Sequence, residues 1–366
     1  MIDYPYIILL IFLFLNLWFA KRYPLYKNKI FSISCWIVFL FIALRAKTVG
    51  ADTENYVNFF TGRTNEYNSD QRELEPLLLI YNSILQRISQ NGVFYLITNT
   101  FCSLCPIYYL VKRYSRSPIL SIILFFVMGL YGTYFVALRQ ILSISLILVG
   151  FILYQKDENK YFKWGYFLFF SILAYFMHTT ALPVSLIFIC VFLWKEFNKK
   201  ISVILIISSF IIGYILKDQF YMTIFSLIIQ ADISAIERIS YYLDADNSFD
   251  SMNIITLSLP TVLALSYIKY ADNQQFNHDI SKLYIIGCIL NNVFMFFTFV
   301  QRLSVALSLF SIIAITWPIV DKKARNYKFV LLVFVFLFTI RFFMGNINYD
   351  KNDLGRLHPY TFFFQK

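Results

Sequence analysis

Long apolar runs separated by short polar turns recur down this chain, and most have the length a helix needs to cross a bilayer, about 20 residues once the flanks are included. They predict twelve spans: Ile2 to Ala20, Ile30 to Leu44, Val93 to Val111, Ile119 to Val136, Ile141 to Tyr154, Tyr166 to Met177, Ala181 to Trp194, Ile201 to Leu216, Ile254 to Tyr267, Leu283 to Val300, Leu303 to Val320 and Phe329 to Met344. The first begins beside Asp3 without a cation, so it lacks the positive start of a cleavable signal and is expected to stay. Pro76 opens a further helix, where Leu77, Ile80, Tyr81, Ile84, Leu85 and Ile88 recur at helical spacing; it is predicted to lie in the interface without crossing. Two polar intervals are long for a bundle that otherwise turns tightly, residues 45–75 and 217–253, and are expected to be loops on one side. No internal repeat or linker divides residues 1–366, which read as one all-α, polytopic membrane domain.

Composition agrees. With 59% hydrophobic and 14% charged residues the chain cannot be a soluble domain. The basic loops at residues 21–29, 112–117, 156–163, 195–200, 269–282 and 321–328 hold most of the 32 Lys+Arg and a minority of the 21 Asp+Glu. The positive-inside rule makes those loops cytoplasmic and places both termini outside. A net charge of +11 is therefore a membrane signature, met by lipid headgroups, and requires no nucleic acid. Cys35, Cys102, Cys105, Cys190 and Cys288 all fall in apolar runs; Cys102 and Cys105 have no second pair or nearby His, so they read as packing residues and not a metal or redox site.

The candidate chemistry lies at the outer ends of spans. Arg139, beside Gln140, sits between two apolar runs, where a cation must face water or bind an anion. On the predicted topology Arg45, Asp52, Tyr56, Glu75, Arg139, Gln140, His178 and Arg302 share that side. A transporter would keep such groups near the midplane. His178, near neutral pKa, is a candidate proton acceptor, with Asp52 and Glu75 as alternatives. His278 reads as a solvated loop residue, His358 as a possible sugar contact, and Tyr131, Tyr134, Tyr241 and Tyr242 as interfacial rings able to stack on sugars.

These residues carry a resemblance. Arg45-x-x-x-Val49-Gly50-x-Asp52-x-x-x-Tyr56, Glu75-Pro76, Leu138-Arg139-Gln140, Phe176-x-His178-x-Thr180 and Gln301-Arg302-Leu303, in that order, resemble the EpsG-type family of Wzy-like polysaccharide polymerases. The resemblance implies a GT-C-like, multi-span glycosyltransferase of the bacterial inner membrane. It would be inverting, would need no metal or other cofactor, and would join O-antigen, capsule or exopolysaccharide repeat units at the outer face. Its substrates would be undecaprenyl-pyrophosphate-linked oligosaccharides, with a chain-length regulator as a candidate partner. On this reading Arg139, Arg302 and Arg45 bind pyrophosphate, His178, Asp52 and Glu75 supply the base, Gln140, Tyr56 and Gln301 contact substrate, and no residue binds metal. A lipid-linked oligosaccharide flippase, a glycan ligase and a membrane O-acyltransferase are the other readings. The flippase is disfavoured by the apolar span interiors, where Asn291-Asn292 is the main polar pair, and the acyltransferase by having only His278 inside.

Overall fold

The computed structural model describes residues 3–63, 75–215, 254–295, 298–320, 325–347 and 357–365; within these, a few side chains, among them Gln301 and Arg302, are not described. The contacts divide the chain into two compact units, Met1–Leu186 with Phe338–Lys366, and Ile187–Leu337.

The first unit contains α1 (Tyr4–Arg22), α2 (Lys27–Ala43), α3 (Thr53–Phe60), α4 (Pro76–Ile88), α5 (Gly92–Tyr114), α6 (Pro118–Val127), α7 (Thr133–Val136), α8 (Leu138–Lys156) and α9 (Lys160–Met177). Asn91 and Asn159 cap α5 and α9 by accepting the backbone N–H groups of Val93 and Tyr161, and proline occupies the first turn of α1, α4 and α6. The basic ends Lys21-Arg22, Lys112-Arg113 and Lys156 fall in the last turns of α1, α5 and α8, where cations complement the helix dipole. The two described ends of the chain meet. The Asp3 carboxylate accepts from the Tyr360 N–H at 2.8 Å and lies 2.7 Å from His358 Nδ1, and the Asp3 N–H donates to the Asn346 carbonyl at 2.9 Å.

The second unit holds α11 (Lys199–Tyr214), α12 (Ile254–Tyr270), α13 (Asn273–Asn277), α14 (Asp279–Val293), α15 (Thr298–Ser308) and α16 (Ser311–Ala314); α10 (Ala181–Leu193) and α17 (Arg325–Ile347) contain the boundaries between units. Without a hydrophobic force between helices in lipid, small and polar residues hold such a bundle. Gly213 of α11 lies so close to α14 that a Cβ there would come within 1.8 Å of the Asn292 carbonyl oxygen. Asn292 is fully buried, accepts from Thr261 at 2.8 Å and donates to Ser209 at 3.2 Å. It joins three helices.

Among the described residues five helices are long and apolar enough to cross a membrane, α1, Pro24–Ala43, α5, α8 and α17. A sixth span forms if α6 is joined to Leu130–Val136 across a 74° bend. The expected twelve are not reached, for identifiable reasons. The predicted span Ile119 to Val136 breaks at Gly129, whose φ of +79° ends α6 in the left-handed region that glycine tolerates. The run Leu283 to Val300 is helical to Val293 and resumes as α15 at Thr298, while Leu303 to Val320 is divided among α15, α16 and the 3-10 turn Trp317–Val320. The α10 helix has 13 residues, short for a crossing.

The helix at Pro76 exists as predicted, but its buried face is Leu78, Asn82 and Leu85, while Ile80, Ile84 and Ile88 point outward. An outward apolar stripe suits an interfacial helix, and 13 residues, roughly 20 Å, cannot cross the hydrocarbon. The region 217–253 lies outside the described residues.

Candidate functional site

Three segments distant in sequence converge at the ends of α4, α8 and α9. Arg139 lies in the first turn of α8, a position where the helix dipole disfavours a cation. It is held there by an anion. Arg139 NH1 donates to Glu75 Oε2 at 2.9 Å, and Nε donates to the Tyr56 hydroxyl at 3.1 Å, with the guanidinium 5.8 Å from the centre of that ring. Glu75 is the N-cap residue of α4, yet its carboxylate makes no cap hydrogen bond; it turns to Arg139, and its second oxygen lies 3.8 Å from His178 Nδ1. The side chains of Arg139, Glu75 and His178 are 18%, 15% and 22% exposed, sheltered but reachable.

His178 ends α9 in an extended conformation. Its Nδ1 accepts from the Thr180 N–H at 3.3 Å and lies 3.4 Å from the Thr180 hydroxyl.

Beneath the polar cluster is an apolar floor built from the same helices. Leu78, Leu142 and Met177 pack together. They stand one turn beyond Glu75, one turn beyond Arg139 and one residue before His178, so the packing that joins α4, α8 and α9 also fixes the three polar groups. A second apolar cluster, including Tyr56, Val57, Phe60, Leu85, Tyr95 and Leu138, holds α3 against α4, α5 and α8. The α8 and α9 helices approach closely at Gly150, where a Cβ would meet Phe170 at 3.0 Å.

The motif from Arg45 to Tyr56 builds the wall that positions Tyr56. Arg45 is fully buried; it donates to the Ile42 carbonyl at 2.7 Å and to Thr53 and the Tyr134 carbonyl at 3.4 Å, and its guanidinium lies 5.0 Å from the Phe135 ring. Burial pushes its pKa down to about 10. The expectation that Arg45 binds pyrophosphate is therefore corrected: with no exposed surface it clamps the loop to α7. Gly50, at φ +98°, lets the same loop reach the Phe135 carbonyl, where a Cβ would stand 2.2 Å from the oxygen, and Thr53 Oγ1 donates to that oxygen at 2.7 Å.

The other expected residues separate. Asp52 precedes α3 and shares a helical face with Tyr56, four residues on. Gln140 is 3% exposed and so faces packed protein, against the expectation of a substrate contact. Gln301 and Arg302 occupy the first turns of α15, but their side chains lie outside the described residues. Tyr131 and Tyr134 are buried among rings of Tyr6, Phe125, Phe126 and Phe135, so they are core residues and neither interfacial rings nor sugar platforms; Tyr241 and Tyr242 fall outside the described residues. His358 is tied to Asp3 and packs on Tyr6 instead of facing a sugar. His278 is not a solvated loop residue. It caps α14 by accepting the Ile280 N–H at 3.2 Å, packs on Trp317 at 5.1 Å, and has its pKa lowered by burial. All five cysteines are free. Glu75 stands out in the sequence, but its position between Arg139 and His178 does not, since no local spacing records a contact across 64 residues.

Among the described residues no group of three or more His, Cys, Asp and Glu side chains is placed to hold a metal ion. Comparison with protein-family models matches residues 28–362 to the model described as EpsG family. Neither the curated proteins nor the solved structures compared with the chain give a match.

Proposed function

Since the chain belongs to the EpsG family, a family of EpsG-type polysaccharide polymerases, we propose that it joins lipid-linked glycan repeat units at the outer face of the bacterial inner membrane. The growing glycan passes from its undecaprenyl pyrophosphate carrier to a hydroxyl of the incoming repeat unit. The bond between the anomeric carbon and the pyrophosphate oxygen breaks, the oxygen keeps the electron pair, and a new bond to the acceptor oxygen forms. Attack from the face opposite the leaving group inverts the anomeric carbon. The acceptor proton goes to a base of the protein. The product family, whether O-antigen, capsule or exopolysaccharide, and a GT-C-like arrangement of spans belong to this proposal.

The observation that carries the reading is the contact of one carboxylate, Glu75, with both the cation Arg139 and the imidazole of His178. Arg139 offers a planar, permanently charged fork that fits phosphate oxygens, and a pyrophosphate arriving there competes with Glu75 for it. The displaced carboxylate is left beside His178, where it stabilises the imidazolium formed when His178 takes the acceptor proton. Tyr56 fixes the guanidinium plane from the other side. Arg302 is a second pyrophosphate ligand and Asp52 an acceptor-sugar ligand in the same proposal. The reaction uses no metal, because the arginines meet the leaving-group charge, and transfer should persist in chelator.

Deletion of the gene and electrophoresis of the surface glycan test the activity. A polymerase predicts that single repeat units remain on the final acceptor and the ladder vanishes. Loss of all glycan from that acceptor would instead favour a flippase or ligase.

A further inference from the structure

We propose that the crevice between α2 and α5 is a binding site for an anionic phospholipid, one acyl chain lying in the crevice and the phosphate meeting Lys112. The crevice has a volume of about 230 Å³ and is lined by one face of each helix, from Phe31 to Phe39 on α2 and from Phe101 to Lys112 on α5. Eleven residues of helix rise make the α5 stripe roughly 16 Å long, so the space is narrow and elongated, the shape of a chain. Both helices are membrane-crossing candidates, and the rings on the rim, Trp36, Phe101 and Tyr109, are exposed, which places the opening toward lipid.

Charge selects the headgroup. Lys112 lines one end of the crevice, in the last turn of α5. It is exposed, and among the described residues it has no acidic partner. The Phe39 ring, late in α2, lies 6.3 Å from the Phe101 ring, early in α5, so the two helices run antiparallel and Lys27 and Lys29, at the start of α2, lie at the same end as Lys112 and Arg113. A zwitterionic headgroup would bring its own cation into this basic end, whereas phosphatidylglycerol brings only the anion. A polyprenyl phosphate would offer the same phosphate with a much longer branched chain, and the experiment separates the two.

The test is native mass spectrometry of the full-length protein released from mixed micelles. These contain phosphatidylglycerol and phosphatidylcholine of equal chain length, with polyprenyl phosphate in a parallel sample. Wild type should retain one phosphatidylglycerol in preference to phosphatidylcholine. Lys112→Gln should lower that retention about fivefold, the loss of one cation's attraction for an anionic headgroup, while Arg113→Gln, at the same basic end but outside the crevice, should lower it less. Ser32→Phe should abolish retention by filling the crevice; elution as an undisturbed monodisperse peak shows that these variants are folded. Equal retention of the two lipids, insensitivity to both Lys112→Gln and Ser32→Phe, or preferential capture of the polyprenyl phosphate would overturn the proposal. Since no sugar transfer is measured, the outcome does not depend on the polymerase reading.

Discussion

Glu75 links two groups with opposite demands. While it neutralises Arg139 it keeps a cation stable at the unfavourable end of α8, and once released it can stabilise a charged His178. Glu75→Gln should therefore bind a lipid pyrophosphate at least as tightly as wild type, having lost the competing anion, yet lose turnover on the order of 10²-fold or more. His178→Ala should likewise lower turnover far more than donor affinity, and Arg139→Lys should weaken both, because an ammonium keeps the charge without the fork. Separate measurements of donor binding and single-turnover transfer check all three. Arg45 is different in kind. Arg45→Met should reduce stability by about 3 kcal/mol or more through lost buried hydrogen bonds, seen as a lower melting temperature with donor affinity per folded molecule unchanged. Both arginines stood out in the sequence for the same reason, a cation beside apolar runs. Burial sets Arg45, the clamp, apart from the partly exposed Arg139.

At the level of elements, short rigid pieces set the site, and their breaks depend on glycine. Gly50→Ala would press a Cβ against the Phe135 carbonyl in a backbone region that alanine avoids, so it should unseat α3 and with it Tyr56. A lowered melting temperature together with weaker donor binding is the expected result. Leu142→Ala should cost about 2–5 kcal/mol and loosen the α4, α8 and α9 junction. Most helices were legible as apolar runs, and the helix opened by Pro76 was legible from its spacing. Helix ends inside those runs were not. Phe and Leu continue past Gly129, and Phe294 and Met295 follow the end of α14 at Val293, so hydropathy stays high where the backbone turns. Nor did periodicity predict that Ile80, Ile84 and Ile88 of α4 face outward, because an interfacial helix is apolar on more than one face.

For the whole molecule, the described ends meet where Asp3 contacts His358 and Tyr360, and the basic last turn of α8, at Lys156, lies at the other end of that helix from Arg139. On the proposed topology, which puts the site outside, a cysteine at Gln90 should label from the outer face and one at Lys160 only after permeabilisation, in a background without native cysteines. The reverse pattern would move the chemistry to the cytoplasm and remove the polymerase reading. The central claim is that one carboxylate, shared by Arg139 and His178, serves transfer of a glycan between pyrophosphate carriers. The direct measurement is product length when purified protein, wild type and Glu75→Gln, is given lipid-pyrophosphate-linked repeat units in chelator. Wild type should give a ladder, and Glu75→Gln bound donor that stays a single unit; a wild-type-like ladder from Glu75→Gln would contradict a shared role for the carboxylate.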